Sequence, residues 1–169
     1  MTVHSTTVAA SLIAAMVSLT LISQAPAYGA QFVAAPQHVQ SASAKEAAAL
    51  ADSFHSALKR GDATAVTALL ADNVIIYEEG EAELNKAQYV KAHLPADIAF
   101  VSAVSEQVIR RNGGGSKDYA WVASQGRTTG RYEGHDVDRL TTETMIVQHF
   151  ASGWRIVHIH WSSRLTPKN

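Results

Sequence analysis

The sequence predicts an α+β domain in which helices pack on one face of a curved antiparallel sheet. Two observations lead to this fold class. Apolar residues recur at helical spacing only before Pro95, whereas the chain after it reads as long strand candidates: "ADIAFVSAVSEQVIRR", "KDYAWVASQGRTTGRY", "RLTTETMIVQHF" and "WRIVHIHWSSR". Turn signals such as "NGGGS", "EGHD" and Ser152-Gly153 separate those candidates, as a meander of antiparallel strands requires.

The elements follow in chain order. Ser43 and Glu46 are spaced as a capping box, and Leu50, Phe54 and Leu58 form an i, i+4, i+8 stripe. Lys59 and Arg60 occupy the last turn and Gly61 terminates it. Asp62 caps a second short helix carrying Val66, Leu69 and Leu70. "VIIYEE" (Val74 to Glu79) is a β-branched run, hence a strand, stopped by Gly80. Asn85 with Gln88 caps a third helix that runs through His93 and is ended by Pro95. The "NGGGS" stretch then reads as a flexible hairpin loop. Its glycines follow a strand without opening a helix, so they form no phosphate loop.

The folded domain is expected over 44–165, preceded by a signal peptide (1–30) and a linker (31–43). No Asp, Glu, Lys or Arg occurs before Lys45. "VAASLIAAMVSLTLI" (Val8 to Ile22) is apolar but too short for a membrane span, which needs ~20 residues. Small residues suited to cleavage follow at Ala25, Ala27, Gly29 and Ala30, placing the mature start between Tyr28 and Gln31. A periplasmic or secreted location follows from that reading, and the lack of cysteine is compatible with it. With 169 residues and 47% hydrophobic content, the chain has one domain's worth of core. A net charge of -1 gives no electrostatic reason to expect nucleic acid or an anionic membrane as partner.

The terminal hairpin carries the most chemistry. His158 and His160 are two residues apart on a strand, so they point to one face. With Ser152-Gly153 as the turn, Val147 lies opposite His158, Met145 opposite His160 and Glu143 opposite Ser162. This pairing puts His149 and Glu143 on the histidine face. Val157, Ile159, Trp161, Ile146 and Phe150 then form the helix-facing side, and a one-residue change of register would reverse the assignment. A metal site would need a third ligand, such as His93 or Glu78, while a packing role needs nothing more. The histidines are therefore expected to be structural, and neither a metal nor a cofactor is expected. Trp121, Trp154 and Trp161 read as core or interface anchors. Arg127, Arg131 and His135 lie near a strand end, where arginine can hold an anionic ligand in bidentate fashion.

The stretches "FHSALKRGDATAVTALLADNVIIYEEG" (Phe54 to Gly80), "YVKAHLPADIAF" (Tyr89 to Phe100) and "TTETMIVQHFASGWRIVHIHWSS" (Thr141 to Ser163) resemble the nuclear transport factor 2-like, SnoaL-like superfamily. That superfamily includes polyketide cyclases, ketosteroid isomerases and the association domain of calcium/calmodulin-dependent protein kinase, and the last stretch is most similar to that association domain. The resemblance implies a cone-like, cystatin-like fold with a cavity between helices and sheet, and a homodimer or larger assembly. It also places Glu78 close to the general base of the isomerase branch, with Tyr77 competing for that position. Glu78 is thus the catalytic candidate, and Tyr77, His93, Arg127, His158 and His160 are the ligand-binding candidates. The leading reading is a cavity protein that binds a small molecule with acid/base turnover; the alternatives are a non-catalytic self-assembling module and a His-based metal-binding periplasmic protein.

Overall fold

A computed structural model describes residues 38–39 and 41–167; the expected signal peptide and most of the expected linker lie outside the described residues. The elements run β1 (His38–Val39), α1 (Ala42–Lys59), α2 (Ala63–Leu69), β2 (Leu70–Glu78), β3 (Glu81–Glu83), α3 (Lys86–Ala92), α4 (Leu94–Ala103), β4 (Val104–Gly115), β5 (Tyr119–Tyr132), β6 (His135–Phe150) and β7 (Gly153–Leu165). The strands form one sheet in the order β1-β4-β5-β6-β7-β2-β3. Strands β4 to β7 are the antiparallel meander, while β2 returns parallel to β7 and β3 pairs back on β2. The fold class is therefore α+β with a long, curved, largely antiparallel sheet. Among the described residues no helix is long and apolar enough to cross a membrane.

Local chemistry explains most of the element ends. The Asp62 side chain accepts the Ala65 N–H at 2.9 Å, and the Asn85 side chain accepts the Gln88 N–H at 3.0 Å, so both caps form as the sequence predicts. Gly61 adopts φ +70 and donates its N–H to Leu58 at 2.9 Å, the left-handed stop that glycine makes cheaply. The first cap differs by two residues: Ser41, not Ser43, accepts the Ala44 N–H, and α1 begins at Ala42.

Two larger corrections concern the middle of the chain. The start of "ADIAFVSAVSEQVIRR" is helical: α4 runs to Ala103 and the strand begins only at Val104. Pro95 sits in the first turn of α4, where its missing N–H costs nothing, so it begins a second helix as well as ending the first. Leu94 and Val101, seven residues apart, bury the same side of it. The glycines of "NGGGS" are strand, not loop, and the turn lies at residues 116–118. A Cβ at Gly113 would stand 3.0 Å from the Trp121 carbonyl and 3.3 Å from Ala44 Cβ. The glycine therefore lets α1, whose buried stripe is Ala44, Ala47, Ala51, Phe54 and Ala57, lie directly on the sheet.

The terminal hairpin is also re-registered. Phe150 pairs with Gly153, so Ala151 and Ser152 form the turn, and Val157 is an extra residue between the Val147–Ile156 and Ile146–His158 pairs. As a result Glu143 pairs with Trp161, and Met145 with Ile159, on the helix-facing side, where Met145 and Ile159 are fully buried. His158 and His160 pair with Ile146 and Thr144 on the outer side. The expected sharing of one face by Glu143 and the two histidines is overturned. Ile159 and Trp161 face the core as predicted, and Ile146 does not.

Candidate functional site

Strand register brings five chemistry-bearing side chains into one row. Arg111 pairs with Ser124, Ser124 with Glu143, Glu143 with Trp161, and Trp161 with Glu78, so all five face the helices across five adjacent strands. Above this row α1 carries Asp52, His55 and Lys59 at i, i+3 and i+7, beside its apolar stripe. Between them lies a cavity of about 1050 Å³, with Leu58, Phe100, Val101 and Val104 among its apolar lining. Lys59 closes one side by donating to the Val101, Ser102 and Val104 carbonyls at 2.9, 3.1 and 2.6 Å, which caps the end of α4.

One pole of the cavity centres on His55. Its Nε2 donates to Glu143 Oε2 at 2.5 Å, and Trp161 Nε1 donates to the same oxygen at 2.8 Å. Glu143 is only 8% exposed. Burial works against charge on His55, but the Glu143 and Glu106 carboxylates outweigh it and push its pKa up to about 10. Burial would likewise raise Glu143, but the His55 charge and hydrogen bond, with the Trp161 N–H and Arg111, hold it below the usual range. Arg111 is itself held by Asp52 at 2.6 Å and Ser124 Oγ at 3.0 Å. The second imidazole nitrogen, Nδ1, is buried and has no hydrogen-bond partner among the described residues. Glu106 Oε2 stands 3.7 Å from it, an ion-pair distance.

The other pole is a cluster of carboxyl groups. Glu78, half-buried at the end of β2, has its pKa pushed up to about 7, first by burial and then by the charge of Asp97, with His93 acting in the opposite sense. Burial also raises Asp97, although the Tyr89 hydroxyl donates to its Oδ2 at 2.7 Å and works against the shift. Behind them Glu83, 5% exposed, is paired with His93 Nδ1. Glu78 and Asp97 both line the cavity.

The candidates named from sequence are dispersed. Glu78 stands in the cavity wall, and Arg127 lies at its rim, held in bidentate fashion by Asp138 at 2.8 and 2.7 Å. His93 pairs with Glu83 outside the cavity lining. Tyr77, His158 and His160 sit together on the outer face, the Tyr77 ring lying edge-on to both imidazoles at 5.5 and 6.4 Å. His158 Nδ1–H donates to the Ile75 carbonyl at 2.9 Å. Among the described residues no group of three or more His, Asp and Glu side chains has metal-binding geometry. Sequence reasoning missed His55, Asp97, Glu106 and Arg111. A trace of the first was available in the polar line Asp52, His55 and Lys59 alongside the apolar stripe.

Comparisons with known proteins agree with this fold. The family described as SnoaL-like domain matches residues 47–166. No curated protein matches the chain. A solved structure from Shewanella frigidimarina, provisionally named a ketosteroid isomerase, is 33% identical; the match covers 73% of this chain and 97% of that one, with a TM-score of 0.66. A Xanthomonas campestris structure provisionally named a calcium/calmodulin-dependent protein kinase II association domain is 21% identical over 77% of this chain and 93% of its own, with a TM-score of 0.62. A nuclear transport factor 2-like protein with a cystatin-like fold from Novosphingobium aromaticivorans is 15% identical over 69% and 79%, with a TM-score of 0.57. The family match over residues 47–166, nearly the whole described domain, with the 33% identity to the Shewanella structure, means that the chain belongs to the SnoaL-like family of the nuclear transport factor 2-like superfamily.

Proposed function

We propose that this is an exported SnoaL-like domain that binds a small, largely apolar molecule in the cavity and turns it over by acid/base chemistry at Glu78. One observation carries the reading: a half-buried carboxyl group lies beside Asp97 in the wall of a cavity of mixed polar and apolar lining, and burial pushes its pKa up to about 7, so both of its protonation states are populated at neutral pH. A general acid or base works best in that condition. Asp97 stands beside it, so the two carboxyls titrate as a pair. The isomerase name of the Shewanella relative is consistent with proton-transfer chemistry at such a site. Nile red, a neutral apolar dye, is expected to bind saturably, to show nuclear Overhauser contacts to Phe100 and Trp161, and to be displaced by six-carbon ring compounds. Dye that fails to saturate, or that contacts only the outer sheet face, sinks the cavity reading.

A second observation favours self-association alongside ligand binding. On the outer face Trp121 is 42% and Tyr77 43% exposed, next to Ile146, His158 and His160. Such a patch is more often an interface than a bare surface, and a second copy could cover it symmetrically. The likeness to a kinase association domain supports an assembly of this kind. Native mass spectrometry of protein recovered from the periplasm is expected to give a dimer or larger species whose subunits begin between Tyr28 and Gln31. A monomer would reject the interface, and subunits retaining Met1 would reject export.

A further inference from the structure

The His55 pole differs from the Glu78 pole in having a nitrogen with nothing to bond to. His55 Nε2 faces a carboxylate oxygen, which can only accept, so Nε2 carries a proton. Nδ1 is buried without a hydrogen-bond partner among the described residues and faces a second carboxylate, Glu106, at 3.7 Å. A bare nitrogen lone pair pointed at that oxygen would be repelled, so Nδ1 also carries a proton. The two atoms are therefore an N–H donor and an anionic acceptor, too far apart to bond each other. They are close enough for one oxygen to sit about 2.8 Å from both.

We propose that His55 Nδ1 and Glu106 Oε2 form a hydroxyl-recognition subsite of the cavity, in which an alcohol oxygen of the ligand accepts from the imidazole and donates its own proton to the carboxylate. This deepens the cavity reading and rests on it. The neighbouring charges exclude other groups. A carboxylate or phosphate would meet Glu106 and Glu143, and three of the four arginines that line the cavity are already paired: Arg111 with Asp52, Arg127 with Asp138 and Arg139 with Glu79; the fourth, Arg60, is solvent-exposed at the end of α1. An ammonium group would meet the N–H of His55. A ketone satisfies Nδ1 but offers no proton to Glu106. Only a group that both donates and accepts satisfies the pair, and a buried polar atom left unpaired is the usual source of strong discrimination between such analogues.

The full chain carrying Nile red provides the assay, with cyclohexanol, cyclohexanone, cyclohexanecarboxylate and cyclohexylammonium as competitors on one carbon skeleton. Cyclohexanol is expected to displace the dye at a concentration about tenfold below that of cyclohexanone, and further below those of the two ions, as one charge-assisted hydrogen bond predicts. Glu106 is more than a third exposed and its removal should leave the fold intact, which a thermal melt of Glu106→Ala checks. In that variant the alcohol should weaken until it matches the ketone within about twofold, with the ketone unchanged. Equal displacement by alcohol and ketone in the native protein overturns the subsite, as does a preference for the carboxylate. An alcohol preference that survives in Glu106→Ala also overturns it. In each of these outcomes the dye still binds, so the cavity reading stands; a protein that does not bind Nile red in the cavity overturns both.

Discussion

Replacing Glu143 with alanine is expected to cost the domain about 3 kcal/mol, a fall of roughly 10 °C in melting temperature for a domain of this size. Two buried donors lose their acceptor at once, the His55 Nε2–H and the Trp161 Nε1–H. Removing one member of a buried ion pair costs about 3–5 kcal/mol, and the lower end applies because the His55 side chain is 28% exposed. The loss also carries a pH signature. His55 titrates at about 10 in the fold against an ordinary value of 6.5, so its stabilisation is complete below pH 6.5 and disappears as the pH rises to about 10. Glu143 is shifted the other way, so its contribution holds above the ordinary carboxyl value of 4.5 and is lost on acidification. The pair therefore stabilises most between about pH 4.5 and 6.5. Urea unfolding at pH 6, 8 and 9.5 should show the native protein losing more stability across that series than Glu143→Ala, which keeps only the slopes set by Glu78 and by Glu106 on His55. A variant as stable as the native protein, with the same pH slope, would mean that the pair is not formed.

Glu78→Gln is expected to act in opposite directions on stability and turnover. Glu78 has a raised pKa, about 7 against 4.5, so its contribution is full below pH 4.5 and is lost as the pH climbs through 7. Linkage sets an upper limit of about 3 kcal/mol, and because the carboxyl is only half-buried a gain of about 1–2 kcal/mol is expected for the neutral amide at pH 8. The same substitution removes the group that exchanges protons with the ligand, which should lower kcat by about 10²- to 10⁴-fold on any compound the protein turns over. Carbon-13 NMR of the Glu78 carboxyl in the native protein is the direct measurement, with a midpoint expected near pH 7. A midpoint near 4.5, with Glu78→Gln no more stable at pH 8, would leave Glu78 an ordinary solvated strand end and remove its catalytic assignment.

The sequence alone determined what depends on near neighbours. Asp62 and Asn85 begin their helices, and Gly61 ends its own, where they stand because the groups they satisfy lie within four residues. Helices first and strands afterwards is likewise a matter of local periodicity, and together with the motifs of the terminal hairpin it was enough to reach the family. Tertiary structure decided the rest. "ADIAFV" is apolar but for Asp97 and reads equally as strand or helix; burial of Leu94 and Val101 on one side of α4, which packs against α1, chose the helix. The hairpin turned one residue earlier and took up an extra residue at Val157. Because side chains alternate with period two, the single extra residue was enough to move Glu143 off the histidine face and onto the cavity side. His55 and Glu143 then met across 88 residues of sequence. No local signal encodes a contact of that range, since its energy exists only once helix and sheet are packed and water is excluded between them.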